Sequence, residues 1–347
     1  MVENKNKAAG NSPNTFFKID ARTIAGFIIS GFLLWLMFRQ SHLQWNEIKQ
    51  VFATPRALAY FFAACILALL FVYLQSVRVR VIFIDPQTAL NDTKSFPSVA
   101  IGYFYNNILP GNLGEGIRAW HFSRVNSKPL KVSLGILTIE KFLDANIILP
   151  ITLMTYLVIP DKGNYMANAL LFMLLATFGI DVLALLMLRI KKINRFVFAL
   201  LWKKQIRHFF FKVWKYNFQH LERLHINGNL GWYALGAYCM YLFNGLQHFA
   251  ILKAIDVNSQ LFNFTTFNIV NLCVMLVAIV PSAPANTGVA HYGIYIALIL
   301  SAQMSGVEPN LSQFALAAIG IHLSYFLPEV LLGIVYLIRE RKVLFGK

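Results

Sequence analysis

Acidic residues are scarce in this chain: 15 Asp and Glu stand against 31 Lys and Arg, and charged residues of either sign make up only 13% of the 347. So few charges cannot clothe a water-facing surface, which excludes a soluble domain as the whole of the protein. Cysteine is equally sparse. Cys65, Cys239 and Cys273 are odd in number, lie inside apolar runs and form no Cys-x-x-Cys, so they read as small buried hydrophobes and exclude a disulfide or thiolate-metal framework. Motifs for common chemistry are missing as well: there is no Asp-x-Asp to hold a metal-bound diphosphate, no P-loop, no His-Glu-x-x-His and no Gly-x-Ser-x-Gly. No cofactor and no metal are expected.

Apolar residues fill the space these absences leave. They make up 57% of the chain and raise its mean hydropathy to +0.57, the composition of an integral membrane protein. A formal charge of +16 suggests nucleic acid at first sight. The basic residues cluster between apolar spans, however, so the charge is assigned to topology and to anionic lipid, and nucleic acid is not expected as a partner.

Taken in order, the apolar runs predict an all-α, polytopic membrane protein. After a polar cytoplasmic lead, residues 1–20, spans are expected at about 21–38, 58–84, 132–159, 165–188, 230–254, 264–280 and 311–338, with 289–303 as a short further crossing. About eight passages then make a single domain, 21–338, followed by a basic tail, 339–347. The flank after the first span, Arg39-Gln40-Ser41-His42, has no small-residue cleavage pattern, so that span reads as an uncleaved anchor. The loop between the first two spans carries only scattered charges. The dense basic loops 84–131 and 189–223 fall on the same side as both termini, which the positive-inside rule makes cytoplasmic. A prokaryotic cytoplasmic membrane is the expected location. Within the second of these loops Trp202, Ile206, Phe209, Val213 and Tyr216 recur at spacings of four and three. They oppose Lys203, Lys204, Arg207, Lys212 and Lys215, the pattern of an amphipathic helix over about 195–223 on an anionic membrane face, with a solvated loop helix as the alternative.

Two stretches interrupt the regular pattern. In the run from Asn106 to Arg124, NNILPGNLGEGIRAWHFSR, Pro110 removes a backbone donor and disfavours helix at Leu109, while Gly111, Gly114 and Gly116 permit unusual angles and close approaches. The apolar run before it, 95–109, is too short to cross a bilayer. The segment therefore reads as a re-entrant hairpin entered from the cytoplasm, whose broken backbone needs protein or a wet cavity around it. Helix should resume near Glu115, with Glu115, Arg118 and His121 or Phe122 on one face. An anion can sit at that helix start, with Arg118 one turn along. The second break, VPSAPANTG, holds Pro281, Pro284 and Gly288. Broken segments in corresponding positions of two halves point to a transporter binding site, although two spans ended by prolines look the same.

Charges inside spans mark pathways or buried pairs. Glu140, Lys141 and Asp144 lie near the cytoplasmic third of the third span, where Glu140 and Asp144 share a face and Lys141 reaches Asp144 at a spacing of three. Two readings stand: an ion pair that fastens helices, or carboxylates that position Arg118 or take protons at a headgroup cavity. Arg118 and Arg124 are either phosphate ligands, suited by their planar fork, or positive-inside flanks. Glu115 either caps its helix electrostatically or meets substrate. Asn106 and Asn107 bridge broken backbone or contact ligand. Asn268 and Asn271 share a face of the sixth span, and Asn244, Gln247 and His248 cluster in the fifth, which interhelical hydrogen bonding alone explains. Asp181, His322 and Glu329 are intramembrane polar groups without a motif.

The run LPGNLGEGIR, followed by Ile139-Glu140-Lys141-Phe142-Leu143-Asp144, resembles the paired motifs of the lysylphosphatidylglycerol synthase transmembrane-region family, also described as flippase-like. The resemblance extends over nearly the whole chain. In that family an Asn, a Leu-Pro, a Gly-Glu and an Arg precede a Glu-Arg-x-x-Asp helix; here Lys141 stands where Arg is usual. Where Gly-Val-x-Glu is common after the second break, this chain has Gly288-Val289-Ala290-His291, so a proton-coupled role borrowed from the family is not carried over to His291. The resemblance implies a phospholipid or polyprenyl-phosphate-linked substrate handled in a cytoplasm-facing polar cavity. The candidate substrate-binding set is Asn106, Asn107, Pro110, Gly114, Glu115, Arg118, Glu140, Lys141, Asp144, Asn271, Pro281, Gly288 and His291. Aminoacyl transfer in the synthases belongs to an additional C-terminal part that is not expected here. A lipid translocase is therefore the leading expectation. A non-catalytic subunit presenting lipid to a separate transferase is the alternative, and a lipid-linked transferase is disfavoured by the missing motifs.

Overall fold

Two of the first helices begin at a cap. The computed structural model describes residues 21–82, 92–110, 113–159, 165–189, 192–193, 196–197, 229–277 and 282–345. The polar lead, Gly111, Pro281 and nearly all of the expected amphipathic helix over 195–223 lie outside the described residues. Helix α1 is Ala21–Ser41 and α2 is Trp45–Phe52. The latter occupies a loop for which the sequence suggested only scattered charges. Its capping exchange, in which the Gln44 amide donates to Glu47 Oε2 at 3.2 Å, stabilises a helix too short to show as an apolar run. Helix α3, Pro55–Ile82, starts with Pro at its first position behind Thr54, whose Oγ1 accepts from the Ala57 amide at 3.2 Å.

The chain continues with α4 (Asp92–Ile108), α5 (Gly114–Val125), α6 (Leu130–Val158) and α7 (Tyr165–Arg189). Then come α8 (Asn229–Ala254), α9 (Phe264–Val277), α10 (Val289–Met304), α11 (Leu311–Arg339) and the short α12 (Arg341–Phe345). Among the described residues there is no strand. Three stretches, Ile24–Ser41, Pro55–Val81 and Leu311–Arg339, are long and apolar enough to cross a membrane. Only 22%, 22% and 33% of them is buried inside the protein, so most of their apolar surface faces outward, as hydrocarbon permits and water does not. Helices α6, α7 and α8 match them in length, while α9 and α10, with 14 and 16 residues, are short for a full crossing. The chain is a polytopic all-α integral membrane protein with a broken segment in each half.

The main core lies among α8, α10 and α11, where Ile251, Leu252, Ile294, Tyr295, Leu298, Phe314 and Ile321 are buried together. Ala315, Ala317, Ala318 and Gly320 let α11 approach its neighbours closely, the usual way helices associate without a hydrophobic drive.

The first break forms a helical hairpin. Helical order stops at Ile108, resumes at Gly114, and α4 and α5 pack side by side. A connection this short makes them antiparallel. Close packing is possible because Gly114 has no side chain: a Cβ there would run into Gly102 O and the Asn106 backbone. Helix α4 also runs antiparallel along α11, because Phe96 meets Tyr336, Phe104 meets Gly333 and Asn107 meets Glu329. Ten residues separate Glu329 from the end of α11 at Arg339, about 15 Å of helix. That is half of a hydrocarbon core about 30 Å thick. The hairpin tip thus reaches about 15 Å along α11 from that helix's C-terminal end.

The second break sits at a similar level. The Ala283 amide donates to Ser30 Oγ in the middle of α1 at 2.8 Å, and His322 Nε2 donates to Ala285 O at 2.9 Å. Ala285 and Asn286 both take left-handed angles (φ 57° and 54°), and Gly288 follows at φ 86° with its α carbon against Ser30. The turn Pro284–Asn286 packs on α4, so the two breaks meet.

Gly114→Ala should destabilise the protein by ~1–3 kcal/mol through overpacking. Gly116→Ala, whose Cβ meets nothing within 4 Å, should be neutral or stabilising by up to about 1 kcal/mol. Thermal unfolding in detergent checks both; equal loss at the two positions would show that Gly114 does not set the hairpin spacing.

Candidate functional site

Six ionisable side chains converge where the α4–α5 hairpin lies against α6. Arg118, one turn into α5, is 3% exposed and Glu140 of α6 is fully buried. The guanidinium forks onto the carboxylate, with Nη1 to Oε1 at 3.0 Å and Nη2 to Oε2 at 2.8 Å. This is the bidentate arrangement that a phosphate also accepts. Glu115 Oε2 lies 3.3 Å from Arg118 Nη1, and its Oε1 lies 2.9 Å from Lys141 Nζ. Glu115 is 27% and Lys141 58% exposed, so the network is closed at Glu140 and open at the Glu115–Lys141 edge.

A second pair joins the same network from α3. Arg78 Nη2 lies 2.8 Å from Asp144 Oδ1 and 3.0 Å from Oδ2, and donates to Gln75 Oε1 at 3.0 Å. Gln75 Nε2 in turn donates to Glu140 Oε1. Tyr233 of α8 donates to Asp144 Oδ1 at 2.9 Å, and its ring lies 4.6 Å beneath the Arg78 guanidinium. Arg78, Arg118 and Lys141 carry three positive charges, and Glu115, Glu140 and Asp144 carry three negative ones. Balance of this kind is what makes charges tolerable at membrane depth.

Two pairings differ from the spacing argument. Lys141 meets Glu115 rather than Asp144, because the hairpin brings Glu115 closer and Arg78 and Tyr233 already occupy Asp144. Asp144 accordingly orients Arg78, and of the two α6 carboxylates only Glu140 meets Arg118. The missed members are Arg78, Gln75 and Tyr233. Gln75 and Arg78 share a face inside an apolar run, and that spacing was the available signal.

The remaining candidates scatter around this centre. Asn106 Oδ1 is buried beside Gly114 without a hydrogen-bond partner. Asn107 turns the other way and donates to Glu329 Oε2 at 2.7 Å. Pro110 begins the break and is half-buried. Asn271 is held between α8 and α9, accepting from Asn244 at 2.8 Å and donating to Tyr241 O at 3.1 Å. Gly288 and His291 belong to the second break, where the Gly288 amide donates to His291 Nδ1 at 3.3 Å and the His291 ring lies tilted against His322, with centroids 4.4 Å apart. Asp181 accepts from Asn146 at 3.1 Å. Arg124 is exposed and lies over Trp120. A small recess beside Arg118 is walled by Val79, Ala119, Phe122, Ser133, Ile136 and Leu137, and Ser133 Oγ is buried there without a partner.

A polytopic helical bundle with a re-entrant hairpin clamped by buried ion pairs is the class of protein this geometry defines. Residues 23–333 match the family described as Lysylphosphatidylglycerol synthase TM region, and the chain belongs to that family. Membership associates it with membrane lipid. No curated protein and no solved structure matches the chain.

Asp144→Asn should leave Arg78 buried without its counter-charge and cost on the order of 3 kcal/mol, the lower end for a broken buried pair because Asp144 is partly exposed. Adding Arg78→Met to it should restore most of the loss. Thermal unfolding of the single and double variants measures the coupling, and simple additivity would remove Arg78 and Asp144 from a common network.

Proposed function

We propose that this protein is a lipid translocase or lipid-handling transporter that takes the phosphate of an anionic phospholipid or polyprenyl-phosphate-linked lipid at Arg118. The observation that carries the reading is the open edge of the network, where Glu115 bridges Arg118 and Lys141. A carboxylate held between a guanidinium and an ammonium occupies the place a phosphate oxygen needs. The neutral sum of charges makes the binding an exchange: the incoming phosphate displaces Glu115 while Glu140 keeps the guanidinium aimed. Acyl chains remain in the bilayer beside the exposed apolar faces, and the headgroup enters from the side on which the hairpin opens. We read the basic loops as cytoplasmic, with both termini on that side of a prokaryotic cytoplasmic membrane. The fold of the hairpin supports a path for a headgroup across part of the bilayer.

Native mass spectrometry of the detergent-extracted protein, with identification of the bound lipid, tests this. Arg118→Ala should lose most of the retained anionic lipid, Arg118→Lys should recover part of it, and Glu115→Gln, which removes the competing charge, should retain more than the wild type. Equal retention in all four proteins would exclude Arg118 from a lipid site. Glu140→Gln should accumulate with reduced stability and translocate poorly; failure to accumulate at all would mean that the Arg118–Glu140 pair only fastens helices.

A further inference from the structure

The hairpin has a second polar face, turned away from the charge network. There Asn107 at the tip of α4 donates to Glu329 in the middle of α11, and the Glu329 side chain is 7% exposed. Charge compensation separates this carboxylate from the others at depth. Glu140 has Arg118, Asp144 has Arg78, and Glu115 has both Arg118 and Lys141. Among the described residues no cation reaches Glu329. Its ionisable neighbours are Tyr103 of α4 and Tyr325 of α11. One turn further along α11, His322 lies against Tyr325 and His291 and holds the backbone of the second break through Ala285 O.

A bare carboxylate in hydrocarbon is costly, and an amide donor offsets only part of that cost. The same group is readily housed once it holds a proton. A hard metal cation in its place needs several oxygen ligands, and the described residues contain no cluster of three or more His, Cys, Asp or Glu side chains.

We propose that Glu329 is a proton-binding site on α11 against the tip of the first broken segment, and that the burial of its neutral form, rather than the Asn107 bond itself, keeps the hairpin tip seated on α11. A proton taken up from water forms an O–H bond on the carboxylate, and its return to water leaves a charge that the tip no longer shelters. The hairpin that carries Arg118 is thereby released or held according to the occupancy of Glu329. Proton binding stands on the geometry alone; its coupling to lipid movement rests on the lipid-handling reading.

Infrared difference spectroscopy of the protein reconstituted in lipid, between acidic and alkaline pH, tests proton binding directly. The wild type should show a titrating carboxylic-acid carbonyl band that is lost in Glu329→Gln and kept in Arg118→Ala. Gln is nearly isosteric and still accepts from Asn107, so that variant should fold. Asn107→Ala should shift the midpoint of the same band. A difference spectrum unchanged in Glu329→Gln overturns the site. Movement of labelled phosphatidylglycerol across vesicles containing the protein should vary with pH in the wild type and lose that variation in Glu329→Gln; an identical pH profile overturns the coupling. Loss of the lipid result with the infrared band intact would strike the lipid-handling reading and leave the proton site standing.

Discussion

The bidentate pair between Arg118 and Glu140 is the constraint from which the other contacts follow. Neither group can turn to water at that depth, so each must find its partner inside the protein. Glu140 therefore fixes α5 on α6. Through Gly114 and Gly102 it also fixes α4, which cannot slide without driving Asn106 and Gly102 into the turn. Glu140 receives Gln75 as well, Gln75 receives Arg78, and Arg78 shares Asp144 with Tyr233. One buried pair thus holds α3, α4, α5, α6 and α8 in register.

The two breaks are stabilised by different means. The first leans on charge and on a glycine contact. The second has no ion pair among the described residues and relies on backbone partners: Ser30 Oγ for the Ala283 amide, His322 for the Ala285 carbonyl, and His291 for the Gly288 amide. Left-handed angles at Ala285 and Asn286 persist because those bonds over-determine the turn. The asymmetry places the charged chemistry in the first half of the chain and gives the second half the task of ending helices at the same depth.

Much of this was legible in the sequence, for physical reasons that also mark where legibility ended. Proline and glycine act on their own neighbours, so the stop at Leu109 and the restart near Glu115 were readable, and long apolar runs delimited α1, α3, α6, α8 and α11 to within a few residues. Helix α2 escaped because eight residues held by a cap leave no apolar run. Partner choice escaped because it is tertiary: Lys141 has a carboxylate three residues away and prefers one on another helix. Arg78 lay where a positive-inside flank and a buried ion pair look alike. Asn107 and Glu329 are separated by 222 residues, and no local pattern joins them.

The equal count of positive and negative groups around Arg118 has an electrical consequence. A cluster of zero net charge does no work against the membrane potential when it moves as a body. On the proposed lipid-handling reading, a phosphate that took the place of Glu115 would change this, because the displaced carboxylate would stay with the protein and the loaded assembly would carry an extra negative charge. Each full crossing of one such charge exchanges about 2.3 kcal/mol per 100 mV with the field. On that reading the cargo, rather than the protein, would sense the potential.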